Sequence, residues 1–80
     1  MNRTEILAVV TSVFREILGD ETIVLGEQTT AADVANWDSL THVQLVVAVE
    51  RRLRIRFGSR EIQRWSNVGE MLDSIVAKVN

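Results

Sequence analysis

Apolar residues recur at spacings of three, four and seven near the start of the chain, between Asn2 and Leu18. This spacing is typical of a helix that buries one stripe of side chains. Glu5 lies three residues after Asn2, so the two can form a reciprocal N-terminal cap. Gly19 is suited to the left-handed conformation that ends many helices. The pattern predicts a first helix over residues 2–18.

Residues 20–38 show no sustained period and mix turn formers with scattered apolar residues. They are predicted to form a long connection. Loops longer than about 12 to 15 residues are uncommon in compact domains and are usually functional. This connection, and the residues at its far end, are therefore the first place to look for a site.

The next apolar segment, Leu40 to Leu53, is rich in valine and contains a five-residue apolar run, so a buried strand and a helix both fit its composition. Its length of 14 residues and the helical spacing of its apolar positions favour the helix. Asp38 is a good N-terminal cap, which makes Ser39 the first residue of this second helix.

Two short patterns follow the second helix. Apolar residues and arginines alternate strictly over residues 52–57, which predicts an extended connector. Ser59 then opens a predicted short helical turn that carries Ile62 and Trp65.

A second capping pattern, Asn67 followed by Glu70, predicts the start of the last helix. Together the patterns predict an all-α fold, a small four-helix bundle of three long helices and one short helix with a long loop between helices one and two. Residues 1–80 are predicted to form a single domain because a chain of this size folds around one core. The stripe of the last helix consists of Val68, Met71, Leu72, Ile75, Val76 and Val79.

The composition limits the chemistry that the chain can supply. The absence of cysteine excludes disulfides, thiolate nucleophiles and Cys-ligated zinc. His42 is the only histidine, so a His-rich metal site is excluded and no metal site is predicted. The longest apolar run has five residues, against about 20 for a bilayer-spanning helix, and the N-terminus has no signal-like segment. We therefore expect a cytoplasmic protein without membrane contact.

Charge is unevenly distributed along the chain. Residues 1–38 contain two cations and seven acids, whereas residues 51–64 contain six arginines and one acid. Such a basic cluster is typical of a nucleic-acid footprint. The alternative, favoured by the overall net charge of −2, is that the arginines are solvated surface residues. The cluster consists of Arg51, Arg52, Arg54, Arg56, Arg60 and Arg64.

Ser39 projects from a predicted helix end, where several backbone N–H groups lack internal partners. Those amides and the helix dipole favour a negative group by roughly 0.3 to 1 kcal/mol, so a phosphodiester on Ser39 would lie in a compatible field. Asp38 and Ser39 are also common as plain helix-start residues. The dipeptide alone therefore assigns no function.

Residues 37–50, which begin Trp37-Asp38-Ser39-Leu40, resemble the core motif of acyl carrier proteins. The resemblance covers nearly the whole chain, because residues 57–62 look like the family's link into helix three and residues 67–71 look like its entry to helix four. Family members are four-helix domains of this length, with a long loop after helix one and Asp-Ser-Leu at the start of helix two. Where the family often has a glycine before the motif, this chain has Asn36, which also accepts left-handed angles.

The resemblance implies that Ser39 receives 4'-phosphopantetheine from coenzyme A, through a separate magnesium-dependent phosphopantetheinyl transferase. The thiol of this arm would carry acyl groups as thioesters, in fatty-acid, polyketide or related biosynthesis. Asp38 matches the motif acid, for which two roles stay open: capping helix two, or contacting the transferase and its metal. Leu40 matches the motif leucine, whose main expected role is to anchor the first turn on the core, although family members use this edge in docking.

The implied protein is a non-catalytic, monomeric carrier whose partners are the transferase and acyl-loading and acyl-processing enzymes, and not nucleic acid. Helix two is acidic in many carriers, but here Glu50 is its only acid within residues 39–53. We therefore hypothesise that partner enzymes present an acidic or apolar patch. The candidate docking residues are Thr41, His42, Gln44, Arg51, Arg52 and Arg56.

Apolar residues of the later helices could line a space for an acyl chain, although the same residues must also form the core. Trp37 either packs under the arm or anchors the loop, and burial of large aromatics favours the anchor, as it favours a core position for Trp65. The pocket candidates are Val43, Val46, Val47, Ile62 and Met71.

Two other functions compete with the carrier. The first is a small helical interaction or nucleic-acid-binding domain that uses the arginines from Arg51 to Arg64. The second is a hydrolase that uses Ser39 with His42, three residues further on. A base-activated serine needs an orienting third group and an oxyanion hole, so His42 is predicted to be a surface residue instead.

Overall fold

The first helix of the computed structural model, α1, spans Arg3–Leu18, and the structure describes residues 1–79. The Asn2 side chain accepts a hydrogen bond from the Glu5 amide at 2.8 Å, and the Glu5 carboxylate accepts one from the Asn2 amide at 2.9 Å. Gly19 follows with a φ of 65°, the left-handed conformation of a helix-ending glycine. The predicted helix and both of its ends are confirmed.

The second helix, α2, spans Ser39–Leu53, so the helical prediction for the valine-rich segment is confirmed. Its end differs from the prediction. Arg54 is left-handed with a φ of 57°, and its N–H donates to the Glu50 carbonyl. Residues 52–53 therefore stay helical, and the predicted extended connector over residues 52–57 is wrong at its start. The alternation of apolar and charged residues could not indicate this end, because a left-handed helix end is usually marked by a glycine and here the residue is an arginine.

The connector that follows is held against the end of α2 by Glu50. The Glu50 carbonyl accepts from the Ile55 amide at 3.0 Å, and its carboxylate accepts from the Phe57 amide at 2.8 Å. The Phe57 ring then packs edge-on against Trp65, with ring centroids 4.8 Å apart. The chain thus returns to the core before the next helix begins.

The short helix α3 spans Ser59–Arg64 and the last helix α4 spans Val68–Val79. The Asn67 side chain accepts from the Glu70 amide at 2.9 Å, as predicted. The Glu70 carboxylate, however, accepts from the amide and the hydroxyl of Ser66 instead of closing a reciprocal cap. The predicted start of the last helix is confirmed, and the partner of its glutamate is corrected.

The helices enclose one core within residues 1–79. α1 packs against both α2 and α4, and α3 packs against α4. Between helices α1 and α2 the loop also enters this core, through Ile23, Leu25 and Trp37. The predicted all-α fold of four helices with a long first loop is confirmed.

Residues 26–29 of the loop are fastened to the start of α4. The Gly69 amide donates to the Glu27 carbonyl at 2.8 Å, and a Cβ at position 69 would lie only 2.8 Å from that same oxygen. Arg3 closes the junction by donating to the Glu27 carboxylate at 2.7 Å and to the Gly69 carbonyl at 2.9 Å. This close approach requires a glycine, and it fixes the loop that leads to Ser39.

Over residues 1–79, every helix is too short or too polar to cross a bilayer. The same part of the chain brings together no group of three or more histidine, aspartate or glutamate side chains that could hold a metal ion.

Candidate functional site

Ser39 is the first residue of α2 and is exposed. Asp38 caps the helix: its Oδ1 accepts from the Leu40 and Thr41 amides, both at 3.0 Å. The Thr41 hydroxyl lies 2.9 Å from the Asp38 amide and accepts from it, which completes a reciprocal cap. The Ser39 hydroxyl makes no hydrogen bond with the described residues, so its Oγ is free to react.

The Asp38 carboxylate is ionised and has one oxygen to spare. The hydrogen bond from the Thr41 amide, with further help from the Leu40 amide, holds the pKa of Asp38 below its usual range. All of these bonds end on Oδ1, whereas Oδ2 has no hydrogen-bond partner within residues 1–79. Of the two roles left open by the sequence, the structure shows the cap and leaves Oδ2 available for a contact from outside.

The loop enters α2 through a left-handed residue. Asn36 has a φ of 71°, as its position before the motif predicts. Its carbonyl accepts a hydrogen bond from the Thr41 hydroxyl at 2.7 Å. Thr41 therefore ties both Asn36 and Asp38 to the first turn of the helix. Because its hydroxyl is engaged in this way, Thr41 holds the site together and is a poor docking contact.

Trp37 anchors the loop under Ser39. Its side chain is 9% exposed, and its ring meets Phe14 edge-on, with centroids 4.8 Å apart. Its Nε1–H donates to Nδ1 of His42 at 3.0 Å. The predicted anchoring role is confirmed, and Trp65, packed against the core with its Nε1–H donating to Ser74, also lies where predicted.

His42, which was predicted to lie on the surface, is only partly exposed. Its ring is half-buried, stacked on Trp37 at a centroid distance of 6.0 Å and edge-on to Trp65 at 6.3 Å. Burial lowers the pKa of His42, so the imidazole is neutral near pH 7. Because Nδ1 accepts from Trp37, the proton lies on Nε2. A serine base needs the opposite tautomer, with an unprotonated Nε2, so this geometry argues against the hydrolase.

Acidification is expected to lower the melting temperature as the pH falls below 6.5, the ordinary pKa of histidine. The pKa of His42 is lower in the folded chain than in the unfolded chain, so the unfolded state binds the proton first. This stabilising contribution is complete above pH 6.5 and is lost as the pH falls through the folded-state pKa.

Thermal unfolding followed by circular dichroism between about pH 7.5 and about pH 5.5 measures this loss. His42→Gln serves as the control, because the pKa values of Asp38 and Glu27 are lowered from 3.8 and 4.5 and those groups titrate below this window. Equal losses of melting temperature in the two proteins would contradict the prediction.

Three apolar side chains of α2 face solvent, in a stripe that starts beside Ser39. Leu40 is 75% exposed, Val43 is 62% exposed and Val47 is 39% exposed. The prediction that Leu40 anchors the first turn on the core is therefore wrong, and its place on a docking edge stays a prediction. Gln44 is exposed between Leu40 and Val47.

The stripe ends at a basic groove, with a volume of about 510 Å³, at the C-terminal end of α2. Arg51 and Arg56 were expected at a docking surface, and the groove brings them together with Arg54. Arg52 points elsewhere, since it forms an ion pair of 3.2 Å with Glu16 of α1. Arg54 was not among the predicted docking residues, although its place three residues after Arg51 was a usable signal. The groove is lined by Val47, Glu50, Arg51, Arg54, Ile55 and Arg56.

The five predicted pocket residues do not share one environment. Val46 and Met71 are buried in the core, Ile62 is half-buried, and Val43 and Val47 belong to the exposed stripe. An acyl pocket lined by all five stays a prediction.

A recess of about 330 Å³ lies beside Ser39 itself, on the side of the loop. We call it the Trp37 recess; Ala31 and Trp37, which line it, were not predicted for a pocket. Its lining residues are Ala31, Trp37, Asp38, Ser39 and His42.

Comparison with known proteins agrees with this geometry. A family model described as a phosphopantetheine attachment site matches residues 8–75. The acyl carrier protein of Acidothermus cellulolyticus is 28% identical over 75 residues, which cover 94% of this chain and 89% of that protein. The solution NMR structure of the holo acyl carrier protein from Geobacter metallireducens superposes with a TM-score of 0.86 at 38% identity, over 91% of this chain and 84% of that one.

Proposed function

Because this chain belongs to the acyl carrier protein family of phosphopantetheine-binding carrier domains, we propose that its Ser39 receives 4'-phosphopantetheine from coenzyme A. The observation that carries this proposal is the exposed Ser39 hydroxyl on the first residue of a capped helix, with no internal hydrogen bond. In the transfer, Ser39 Oγ forms a bond to the phosphorus, the diphosphate bond of coenzyme A breaks, and adenosine 3',5'-bisphosphate leaves. The Ser39 proton is released.

The residues around Ser39 fit such a group. The start of α2 favours a negative phosphodiester, because its dipole is positive there. The Trp37 recess offers space next to the attachment point. Asp38 Oδ2 has no partner within residues 1–79, so it would be free to contact the transferase and its magnesium while Oδ1 keeps the helix capped.

The attached arm supplies a thiol that carries acyl groups as thioesters, and the chain itself is a non-catalytic carrier. Its partners would be a phosphopantetheinyl transferase and the enzymes that load and process the acyl group, in fatty-acid, polyketide or related biosynthesis. The comparisons do not favour the nucleic-acid-binding alternative. A monomeric state and a cytoplasmic location stay predictions.

The experiment that tests the proposal is intact-mass spectrometry after incubation with coenzyme A and a broad-specificity phosphopantetheinyl transferase. A gain of one phosphopantetheine is the expected result. No gain with any transferase, combined with salt-sensitive binding to nucleic acid, would favour the alternative.

Partner docking is proposed to use the exposed stripe of α2 together with the basic groove. Leu40, Val43 and Val47 would cover apolar surface on the partner, and Arg51, Arg54 and Arg56 would face its carboxylates. Charge complementarity of this kind mainly sets the association rate and the choice of partner. The docking surface would thus fit an enzyme with an apolar centre beside an acidic patch.

Charge reversal in the groove, R51E/R56E, is expected to lower kcat/KM for loading by the source organism's own phosphopantetheinyl transferase, by roughly tenfold or more at low salt. The difference from wild type should shrink as salt rises, because exposed charges are screened. R52E/R60E makes the same change in net charge outside the groove and should lose much less. Equal loading rates for the two double variants at low salt would contradict the proposed docking surface.

A further inference from the structure

The Trp37 recess combines an apolar wall with lining residues that carry three polar atoms without a hydrogen-bond partner within residues 1–79: Asp38 Oδ2, Ser39 Oγ and His42 Nε2. Trp37 forms part of the wall although its ring is almost entirely buried. A smaller cavity of about 60 Å³ shares Trp37 and Ala31 and reaches Trp65 and Met71. The recess and the smaller cavity, which Ser66 and Asn67 also line, therefore share Trp37 and Ala31 as common lining residues.

Of these three atoms, Nε2 of His42 is the nitrogen donor. The hydrogen bond from Trp37 to Nδ1 fixes the tautomer that carries its proton on Nε2. Nε2 makes no hydrogen bond within residues 1–79. Every fully buried side-chain nitrogen or oxygen of the described residues has a hydrogen-bond partner. Because Nε2 has none, it is not fully buried. His42 lines the recess, so an N–H donor of known tautomer belongs to a residue of its wall, three residues after Ser39 on α2.

This donor and this wall match the chemistry of a group that begins at Ser39. Beyond its phosphate and a methylene group, the phosphopantetheine arm carries a carbon with two methyl groups, then a carbon with a hydroxyl group, and then an amide carbonyl. Contact between methyl groups and an indole ring removes apolar surface from water, which is favourable. A carbonyl group that leaves water needs a hydrogen-bond donor in place of the water. Because the arm is tethered, its effective concentration at the recess is about millimolar, so weak contacts suffice to seat it.

We infer that the Trp37 recess seats the phosphate-proximal half of the arm, with the methyl groups against Trp37 and with His42 Nε2–H donating to the first amide carbonyl. His42 is then a binding residue for the arm and not a base. The inference rests on the proposed attachment at Ser39, and it adds a site on this chain that holds the arm between transfers.

Isotope-filtered NMR of the loaded protein tests the inference. The protein is labelled with ¹³C and ¹⁵N and is loaded with an unlabelled arm, and its mass is checked first. We expect nuclear Overhauser contacts from the arm's methyl groups to the Trp37 ring, and a changed shift of His42 Nε2–H on loading. His42→Gln keeps a donor near the position of Nε2 and should keep the contacts, whereas His42→Leu should lose them.

The two proposals fail in different ways. The proposal that the recess seats the arm would be overturned if the protein loads fully but the methyl resonances keep the shifts of free pantetheine and show no contacts to Trp37. The proposed carrier function would then stand. No mass gain would overturn the carrier function and the recess with it. Contacts that persist unchanged in His42→Leu would overturn the role of His42. Each variant's ¹H–¹⁵N spectrum verifies that it is folded, and His42→Gln keeps the test valid if His42→Leu unfolds.

Discussion

Ser39→Ala is expected to abolish the mass gain of one phosphopantetheine completely. The substitution removes the oxygen that would form the bond to phosphorus, and no neighbouring group can replace it. The nearest hydroxyl in the helix belongs to Thr41, whose oxygen is engaged with the Asn36 carbonyl and the Asp38 amide. The loss should therefore be total and not partial.

The same substitution should leave the fold unchanged. The Ser39 side chain makes no hydrogen bond with the described residues, and Asp38, not Ser39, caps the helix. Alanine is also a good helix former. The free energy of unfolding should stay within about 0.5 kcal/mol of wild type. Loss of loading would then report chemistry and not unfolding.

Ser59→Ala is the matched control for Ser39→Ala. Ser59 is likewise an exposed serine at the first position of a helix, α3, preceded by a capping residue in extended conformation. It should load as wild type does. Retained loading in Ser39→Ala, or loss of loading in Ser59→Ala, would contradict the assignment of the attachment site.

Phe14→Ala is expected to reduce the free energy of unfolding by about 3 to 5 kcal/mol. Phe14 is fully buried in α1, and its ring supports Trp37 edge-on at 4.8 Å. Its removal leaves a cavity beneath the anchor of the loop and costs an aromatic pair as well. Since small domains are stable by only about 5 to 15 kcal/mol, the loss is a large share of the total.

Urea unfolding followed by circular dichroism measures this loss. Ile17→Ala is the control, because Ile17 lies in the same helix and is 36% exposed, so less of its surface leaves water on folding. Its loss should be well below that of Phe14→Ala. Similar losses for the two variants would show that Phe14 does not carry the packing under Trp37.

The position of Phe14 also connects stability with the site. Phe14, Trp37 and His42 are in sequential ring contact, which links α1 through the loop to the first turn of α2. A looser Trp37 would release its hydrogen bond to His42. Mildly destabilising changes at Phe14, such as Phe14→Leu, would thus weaken the Trp37 recess before the helices themselves unfold.

Local sequence patterns were sufficient to predict where each long helix begins and that Ser39 lies at the start of α2. Helical periodicity and capping are local, because a residue three or four positions away decides them, and this is why α1, the start of α2 and the start of α4 were all predicted. The Asp38-Ser39 helix start and the left-handed Asn36 belong to the same class of information. The end of α2 was not predicted, because arginine rarely adopts the left-handed conformation and no neighbouring residue in the sequence indicates that Arg54 does so.

The surroundings of Ser39 could not be predicted in the same way, because they depend on contacts between segments that are distant in the sequence. The half-buried His42 depends on Trp37 and Trp65, which approach it from the loop and from the end of α3. The basic groove depends on the turn after α2, which brings Arg56 beside Arg51. Arg52 instead forms an ion pair with Glu16 of α1. Contacts between distant segments depend on how whole helices pack against one another. The spacing of residues along the sequence gives no information on that packing. The proposed attachment point can therefore be predicted from local sequence, whereas the tautomer of His42, the Trp37 recess and the basic groove arise from packing.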